Sequence, residues 1–573
     1  MTRINPVSLS PFLSPSPPPA QSLPLAEYLT SIILEGEQPF DASAQFDPLR
    51  YDHWAGEDYA RDVIMDTYGK NNCVVYGAFE NRSAGRSHVP RHSLYHQLRA
   101  AGAICQFSSG VEVPALFEPD PSKFAELEAQ CLDSHHLHDF PWARRAQEEA
   151  ENVLENVGLS FSSFSKLQVK GADAVALLRA ATTNVIPTRD GRTKLTYAVT
   201  PKGRVAAEFT VCKVQDEDYY VVGSRDYAAH DAQWLVDCAR RLGLENVEIS
   251  NVSDDVTILH VAGPRSLELL EGVLGADRTG THAVRDIPFL QMRPLEITVP
   301  EGPSFLGVHD LDDRNQDAGR RKIHAQCFRV SFTGCQGYEF HVSEADAPAL
   351  HSLLWGHATS KTMGLAHFGG HALNALRIEK GFKIKADLDF AHYTEAGIEP
   401  FVRKKRTFPF LGRDTTVNGT EEGAKLLPGG SVVDGADHAG DSPGDKGRRA
   451  SCMFHVDVAT GYEWSVVSDS PILLRRADSN DGGSDRVVGV TTSSARGAAT
   501  GDTIAMGYLE EEVRDLLASG EETAEAELYL MCFGQEFPAT FLARPPVAVT
   551  AKAPATGDAA GAEPCAATAV AEA

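Results

Sequence analysis

The chain has 573 residues, which exceeds what one hydrophobic core usually organises and predicts roughly three to four domains. Hydrophobic residues make up 42% and charged residues 23%, a globular composition. The net charge of −26 repels phosphates and anionic headgroups. We therefore expect neither nucleic acid nor a membrane surface as a partner, and no run has the roughly 18 apolar residues of a membrane helix.

The N-terminal region changes character twice. Residues 1–24 are rich in Pro and Ser and predict a disordered tail. They lack Asp and Glu and carry one Arg, a pattern that resembles a transit peptide but also fits a plain tail. From residue 25 apolar side chains recur at helical spacing, and the segment "DHWAGEDYARDVIMDTYG" predicts another helix. A histidine cluster at 135–138 could contact a metal, although its polar surroundings favour a surface loop.

From residue 151 short β-branched or aromatic runs such as "KLQVKG", "AAEFTVCKV" and "QCFRVSF" predict strands. Helical patterns separate them without regular alternation, which indicates an α+β fold. In "GADAVALLRAAT" we predict an apolar helix face made of Ala172, Ala176, Leu177 and Leu178.

The C-terminal third divides into three parts. Residues 416–449 are rich in Gly and Asp and predict a flexible insertion. Strand patterns resume over 450–549 and predict a small β domain, and 550–573 predict a disordered tail. The ten cysteines form no CxxC pair, which favours a reducing compartment over a disulfide framework or a zinc site.

The common catalytic motifs are absent from the sequence. No GxGxxG follows a predicted strand, and neither GxxxxGK[ST] nor HExxH occurs. No serine stands on a sharp strand–turn–helix corner that would mark a nucleophile. The residues alone predict a large acidic α+β protein and do not select a reaction.

Several phrases, taken in order, resemble the glycine-cleavage T-protein fold as it occurs in the C-terminal part of dimethylglycine and sarcosine dehydrogenases. They are "FSKLQVKGADA", "LTYAVTPKGRVAAEFTV", "VTILHVAGPRSLELL", "FRVSFTGCQGYEFHV", "HALNALRIEKGFK", "TEAGIEPFV" and "RVVGVTTSSARGAATGDTIAMGYL". The resemblance implies a multidomain T-protein-like fold with a C-terminal β-barrel domain. It assigns a folate-binding aminomethyltransferase domain to 151–415 and the barrel to 450–549.

Residues 25–150 resemble the central, linking domain of the flavin-dependent members of this family. In the family a flavin domain precedes that piece, and nothing in the roughly 40 residues that stand before the phrase "FDPLRYDHWAGEDYARDVIMDTYG" here could hold FAD. We therefore expect no FAD on this chain. Two explanations are open, a natural split subunit that works with a separate flavin oxidoreductase subunit or a truncated gene model. The resemblance implies a mitochondrial location, with a cytoplasmic one as the alternative.

The family moves a one-carbon unit from an oxidised amine to tetrahydrofolate, which needs a carboxylate beside the reacting nitrogens. The resemblance points to Glu208 as that carboxylate, on the same strand face as Ala206 and Thr210. Tyr197 is expected to line the ring slot. Arg377 matches the Arg of the family's "LRLE" and could reach a ligand carboxylate or pair with Glu379.

One departure from the family's pattern concerns the pterin contact. The glutamate of the family's "YTGE" is replaced by Cys335, and a thiol cannot accept two parallel hydrogen bonds. The loss should cost about 2–4 kcal/mol, or about 30–1,000-fold in affinity. Glu339 matches the second acid of the phrase, and an insertion at 301–321 could reshape the pocket mouth.

Three functions are compatible with these residues. The first is the tetrahydrofolate-dependent transfer half of a dimethylglycine or sarcosine dehydrogenase-like system, with folate and an amine-derived one-carbon unit as small-molecule partners. The second is a regulatory paralogue similar to the regulatory subunit of pyruvate dehydrogenase phosphatase, which Cys335 favours. The third is a T-protein-like demethylase of another substrate.

Overall fold

The computed structural model describes most of the chain between residues 54 and 549. The described ranges are 54–70, 83–108, 110–132, 140–200, 203–275, 284–300, 320–388, 391–402, 410–412, 449–459, 466–476, 485–519 and 526–549. The predicted tails, nearly all of the 416–449 insertion and the histidines at 135–138 lie outside these residues. Within them no helix is long and apolar enough to cross a membrane.

The first half mixes helices with runs of two or three consecutive strands. In chain order its elements are α1 Glu57–Lys70, α2 Tyr95–Ala100, β1 Ala103–Ser108, β2 Val111–Phe117, α3 Pro121–Leu132, α4 Ala143–Glu155, β3 Gly158–Ser162, β4 Ser165–Lys170, α5 Ala174–Ala181, β5 Thr193–Val199, β6 Val205–Gln215, β7 Asp218–Gly223, α6 Ala228–Leu242, β8 Glu248–Asn251, β9 Val256–Ala262 and α7 Ser266–Leu274.

The second half continues with strands, a short run of helices and the barrel. Its elements are β10 Met292–Pro300, β11 Arg320–Phe328, β12 Gly337–Ser343, α8 Ala347–Gly356, α9 Ala358–Thr362, β13 Ala366–His367, α10 Gly370–Ile378, α11 Lys385–Leu388, β14 Arg449–Val456, β15 Pro471–Arg476, β16 Arg486–Arg496, β17 Thr503–Glu510, α12 Glu511–Ser519, β18 Ala526–Cys532 and β19 Gln535–Leu542.

The strands form a hairpin, two sheets and a barrel. The hairpin is β1–β2, and the six-stranded sheet has the order β10-β11-β12-β9-β3-β13. The five-stranded sheet has the order β5-β6-β7-β4-β8, and β14-β17-β16-β15-β18-β19 close a barrel. The α+β fold with a C-terminal β-barrel is therefore confirmed. The strand predicted at "QCFRVSF" ends at Phe328, because the residues after it turn back towards β12.

Each sheet has an apolar face that packs under helices and an opposite face that carries a glutamate. On β12, Tyr338, Phe340 and Val342 enter the apolar core beneath α7 and α8. Glu339 and His341 alternate with them and lie on the other face, because successive strand residues point to opposite sides. In the five-stranded sheet Ala207, Phe209 and Val211 of β6 pack under α5 and α6, which leaves Glu208 on the opposite face.

The predicted apolar face of α5 is only half right. Leu177 and Leu178 are fully buried, but Ala172 and Ala176 are exposed. The helix begins at Ala174, and the buried alanines are Ala174 and Ala181. Ala172 precedes the helix and therefore does not follow its period.

The barrel packs against the domain that precedes it. The Tyr508 hydroxyl on β17 donates to the Asp387 carbonyl at 2.5 Å, and Thr492 and Ser493 of β16 bond the Asp387 carboxylate. Glu379, just after α10, accepts from Thr500 of the barrel. The barrel and the domain formed by the two sheets therefore share one polar interface.

A buried carboxyl group ties the N-terminal hairpin to α10. Glu149 on α4 accepts from the backbone N–H of Phe117 at 2.6 Å through one oxygen. Its other oxygen accepts from the N–H of Gly369 at 2.8 Å, immediately before α10. Burial raises the pKa of Glu149 to about 8, while the two N–H donors oppose that rise.

Candidate functional site

Tyr197 and Glu208 form a directly opposed pair on neighbouring strands. β5 and β6 run antiparallel with Tyr197 facing Glu208, so both side chains leave the same side of the sheet. Tyr197 is buried and Glu208 half-buried, and their side chains are hydrogen-bonded. The register of the sheet thus brings these two residues side by side.

The carboxyl of Glu208 can hold or release a proton near neutrality. Burial raises its pKa to about 7, against the hydrogen bond from Tyr197 and the positive charges of Lys383 and Lys385. Burial also raises the pKa of Tyr197 well above its usual value, and the charge of Glu208 adds to this. Tyr197 therefore stays a hydrogen-bond donor to Glu208.

Two lysines that the sequence argument missed lie beside this pair. Lys385 Nζ donates to the Ala206 carbonyl at 2.7 Å and sits 4.8 Å from the centroid of the Tyr227 ring. Burial lowers the pKa of Lys383, and the carboxylates of Asp387 and Glu208 act in the opposite direction. Lys383 is the last residue of the phrase "HALNALRIEKGFK" and Lys385 lies two residues further on, so a basic pair at the end of that phrase was the available signal.

Arg377 is anchored by a buried ion pair. Its Nη1 lies 2.7 Å from Asp387 Oδ2 and also donates to the Phe382 carbonyl, and its Nε donates to Asn374. Burial pushes the pKa of Asp387 up, but the charge of Arg377 and several hydrogen bonds outweigh this and lower it overall. The predicted alternative pairing with Glu379 is wrong.

One donor of Arg377 stays available. Its Nη2 is buried and has no hydrogen-bond acceptor among the described residues, although the side chain is only 1% exposed. A buried donor without an acceptor costs about 1–3 kcal/mol, so a polar ligand atom or a water molecule there would be stabilising. The charge of Asp387 also raises the pKa of Glu208, which places the ion pair within electrostatic range of the carboxyl.

Cys335 lies in the turn between β11 and β12. It is 5% exposed, and its N–H donates to Thr333 Oγ1 at 3.3 Å. A side chain built on the neighbouring Gly334 would meet the stem of Lys380 at 2.1 Å, so this turn packs against the segment after α10. The turn that carries Cys335 is thus close to the helix end that carries Arg377.

Aromatic rings extend from this turn. Phe332 lies 6.0 Å from Phe164 and 6.2 Å from Phe382 between ring centroids. The carbonyl of Phe382 is the one that accepts from Arg377. The three rings are the kind of apolar surface on which a flat ring system can pack.

Glu339 belongs to a different polar row. On β12 it faces His260 of β9, and its Oε2 lies 3.4 Å from His341 Nε2. His341 Nδ1 lies 3.0 Å from the Tyr220 hydroxyl on β7, so this row joins the two sheets. The contacts of Glu339 are thus with histidines, whereas Glu208 contacts Tyr197.

The described side chains offer three kinds of interaction to a bound molecule. A carboxyl with a pKa near 7, the unpaired donor of Arg377 and the phenylalanine rings supply proton transfer, a hydrogen bond and ring packing. Cys335 supplies no carboxylate at its position. Among the described residues no group of three or more His, Cys, Asp or Glu could hold a metal ion.

Comparison with known families gives consistent matches. The model of the GCVT N-terminal domain matches residues 94–301 and 315–406. The model of the glycine cleavage T-protein C-terminal barrel domain matches residues 463–547. Together they cover both sheets and most of the barrel.

Individual proteins agree with this. The mitochondrial dimethylglycine dehydrogenase of Homo sapiens is 29% identical over 394 residues, which is 68% of this chain and 40% of that protein. An aminomethyltransferase of Alkaliphilus oremlandii is 26% identical over 284 residues, or 48% of this chain and 67% of that protein. The chain therefore spans less than half the length of the dehydrogenase that it matches.

A solved structure shares the fold. The glycine cleavage system aminomethyltransferase T from Bartonella henselae superimposes with a TM-score of 0.54 at 16% identity, covering 81% of this chain and 99% of that one. At that identity the likeness concerns the fold.

Proposed function

The chain belongs to the glycine cleavage T-protein family, and from this premise we propose that it performs tetrahydrofolate-dependent one-carbon transfer in a dimethylglycine or sarcosine dehydrogenase-like system. The observation that carries the proposal is the opposed Tyr197–Glu208 pair, whose carboxyl has a pKa of about 7. A group with a pKa near the working pH is the most effective general acid or base.

Each residue has a distinct role in the proposal. Glu208 is the catalytic residue that takes a proton from the nitrogen that captures the one-carbon unit and stabilises the positive charge that develops there. Tyr197 orients the carboxyl through its hydrogen bond. Lys383 and Lys385 keep the ionised form accessible, because their charges oppose the effect of burial. Tetrahydrofolate, when bound, supplies the nucleophilic nitrogens.

Binding is assigned to residues at the end of α10. Arg377, held by Asp387, offers its free Nη2 to a polar ligand atom. Cys335, in the turn that packs against the segment after α10, completes the proposed binding set, and its thiol weakens the set because the charge-assisted contact of a carboxylate is missing. Glu339, which the resemblance also pointed to, contacts His341 in a separate polar row and does not belong to this set. A separate flavin oxidoreductase subunit would deliver the oxidised amine, and FAD would be carried by that partner. A mitochondrial site of action is part of the same proposal.

The test separates chemistry from binding. We expect the chain to accelerate formation of 5,10-methylenetetrahydrofolate from tetrahydrofolate and formaldehyde at low micromolar concentrations. Glu208→Gln should lower that rate by about 100-fold or more, the usual contribution of a general base, while the Kd for tetrahydrofolate changes less than about threefold. Glu248→Gln, an exposed strand glutamate on β8, is the matched control and should behave as the parent. Acceleration that persists in Glu208→Gln would refute the assignment.

The position of Cys335 gives a specific reason to keep the regulatory alternative. If neither the parent nor a Cys335→Glu variant binds tetrahydrofolate in calorimetric titration, the folate proposal fails. A non-catalytic regulatory role similar to the phosphatase regulatory subunit would then account for the fold with its altered turn.

A further inference from the structure

A cavity lies in the N-terminal part of the molecule, between α1, the β1–β2 hairpin and the first turn of α10. Its volume is about 410 Å³, within the range of small-molecule sites. None of its lining residues belongs to the set proposed to act on folate. The proposal below is therefore independent of the proposed function.

Part of the wall of this cavity is flat and apolar, while Arg86, Gln106 and Ser108 add polar groups to the lining. Trp142 and His371 stack with ring centroids 3.9 Å apart and planes within 12°, and Tyr59 lies 5.6 Å from Phe107. Ile104 and Leu116 are buried and complete the apolar lining. Such surfaces favour a planar ring system over a branched or flexible molecule.

The charges in the lining are already balanced. Arg86 Nη1 lies 3.2 Å from Glu112 Oε2 and donates to the Cys105 carbonyl at 3.3 Å. Burial lowers the pKa of His371 to about 4, so its imidazole is neutral at physiological pH. A charged ligand would find no uncompensated counter-ion among these groups, which favours an uncharged one.

Gln106 supplies directional polarity in this apolar setting. Its side chain is half-buried, lines the cavity and makes no hydrogen bond with any residue in the described part of the chain. Its Nε2 lies 3.6 Å from the point where a Cβ on Gly370 would stand. A primary amide presents one donor and one acceptor side by side, which matches the N–H and C=O of a ring amide.

We propose that this cavity binds a flat, uncharged heteroaromatic molecule of two or three fused rings, read along its lactam edge by Gln106. Purines and pterins with a ring amide share this chemistry. The stacked Trp142–His371 pair and Phe107 provide the apolar walls, and Gln106 provides the specificity. The site is separate from the strand pair of Tyr197 and Glu208.

Two probes of equal size test the lactam edge. The probe 2-quinolinone carries N–H and C=O side by side, while coumarin has a ring oxygen in place of the N–H. Ligand-observed NMR on the full chain should give a Kd on the order of 0.1–1 mM for 2-quinolinone, as expected for a fragment of this size. Coumarin should bind about tenfold more weakly or worse, because the amide oxygen of Gln106 would face an acceptor.

Variants localise the effect. Gln106→Leu should reduce 2-quinolinone affinity by about tenfold and make it equal to that of coumarin. Gln147→Leu, on α4 and bonded to Glu151, is the matched control and should leave affinity unchanged. Displacement of the probe by inosine or by 6-hydroxymethylpterin distinguishes a purine ligand from a pterin ligand.

Three results would overturn the proposal. These are equal affinity for the two probes on the parent chain, an unchanged Kd in a folded Gln106→Leu variant, and displacement by neither inosine nor the pterin. The first comparison needs no variant, so it decides the question even if Gln106→Leu fails to fold.

Discussion

Asp387 is the residue whose loss should weaken the molecule most at the interface between the barrel and the preceding domain. Its Oδ2 lies 2.7 Å from Arg377 Nη1 and accepts from the Ile384 N–H at 2.9 Å. Its Oδ1 accepts from Thr492 at 2.5 Å and Ser493 at 2.7 Å. The perturbation we choose is Asp387→Asn, which keeps the shape and removes the charge.

The expected cost follows from burial. The side chains of Arg377 and Asp387 are 1% and 2% exposed, so Asn leaves a guanidinium charge buried without a counter-ion. Removing one partner of a buried ion pair costs about 3–5 kcal/mol. The hydroxyls of Thr492 and Ser493 can rotate to accept from the Asn amide, so the hydrogen bonds on that side of the residue are kept. We therefore expect the low end of this range, about 3 kcal/mol.

The matched control is an ion pair on the barrel surface. Arg475 Nε and Nη2 bond Asp485 at 2.9 and 2.6 Å, with side chains 38% and 22% exposed. Because solvent screens such a pair, Asp485→Asn should lower the free energy of unfolding far less than Asp387→Asn. Urea unfolding followed by circular dichroism measures both variants against the parent, with the first transition taken as the relevant one in a multidomain chain.

The ionic origin of the effect has its own check. Arg377→Met combined with Asp387→Asn should be less destabilised than the sum of the two single variants, since the unpaired charge is then absent. A cost below about 1 kcal/mol for Asp387→Asn, or strict additivity in the double variant, would refute the reasoning.

Three further outcomes can be measured. The transfer rate should rise with pH through about 7, because Glu208 acts as a base only when ionised and burial raises its pKa to about 7. Glu208→Gln should abolish this rise. A rate for the parent that stays constant between pH 5.5 and 8.5 would contradict the assignment. Cys335→Glu should tighten tetrahydrofolate binding by at least tenfold in calorimetric titration, and an unchanged Kd would show that another group reads the pterin. Burial raises the pKa of Glu149 from 4.5 to about 8, so between these pH values the native state holds a proton that the unfolded state releases. The free energy of unfolding should therefore fall as the pH rises from 4.5 to 8, and urea titrations at several pH values should show that Glu149→Gln removes this slope. The variant should also lose about 1–3 kcal/mol, because an amide N–H would then face a backbone N–H.

Most of the fold could be predicted from the strand patterns, because β-branched runs between glycines have a local preference for extended backbone. Period-two alternation in "AAEFTV" placed Glu208 on the face opposite Ala207 and Phe209, and the sheet confirms that face. The resemblance to T-proteins supplied what local patterns could not, namely which strands belong to one domain and that the last six form a barrel.

The sequence could not predict which side chains from distant segments contact each other. A pairing of Arg377 with Glu379 was one of the expectations, but side chains two residues apart on a helix do not face each other. Glu379 accepts from Thr500, and Arg377 pairs with Asp387. Asp387 receives hydroxyls from β16, more than 100 residues away, and no local pattern encodes that contact. Lys383 escaped notice because its relevance depends on how β6 packs against the segment after α10.

Helix α10 is tied at both ends to different parts of the chain. Glu149 holds the Gly369 N–H just before the helix, and Arg377 near its last turn is held by Asp387. Each residue of an α-helix advances the chain by about 1.5 Å and rotates it by about 100°. A single inserted or deleted residue within α10 would therefore rotate Arg377 away from Asp387 while Gly369 stayed bonded to Glu149, or the reverse. Along this segment divergence between relatives should proceed by substitution at constant length, and changes in length should accumulate in the connections outside it.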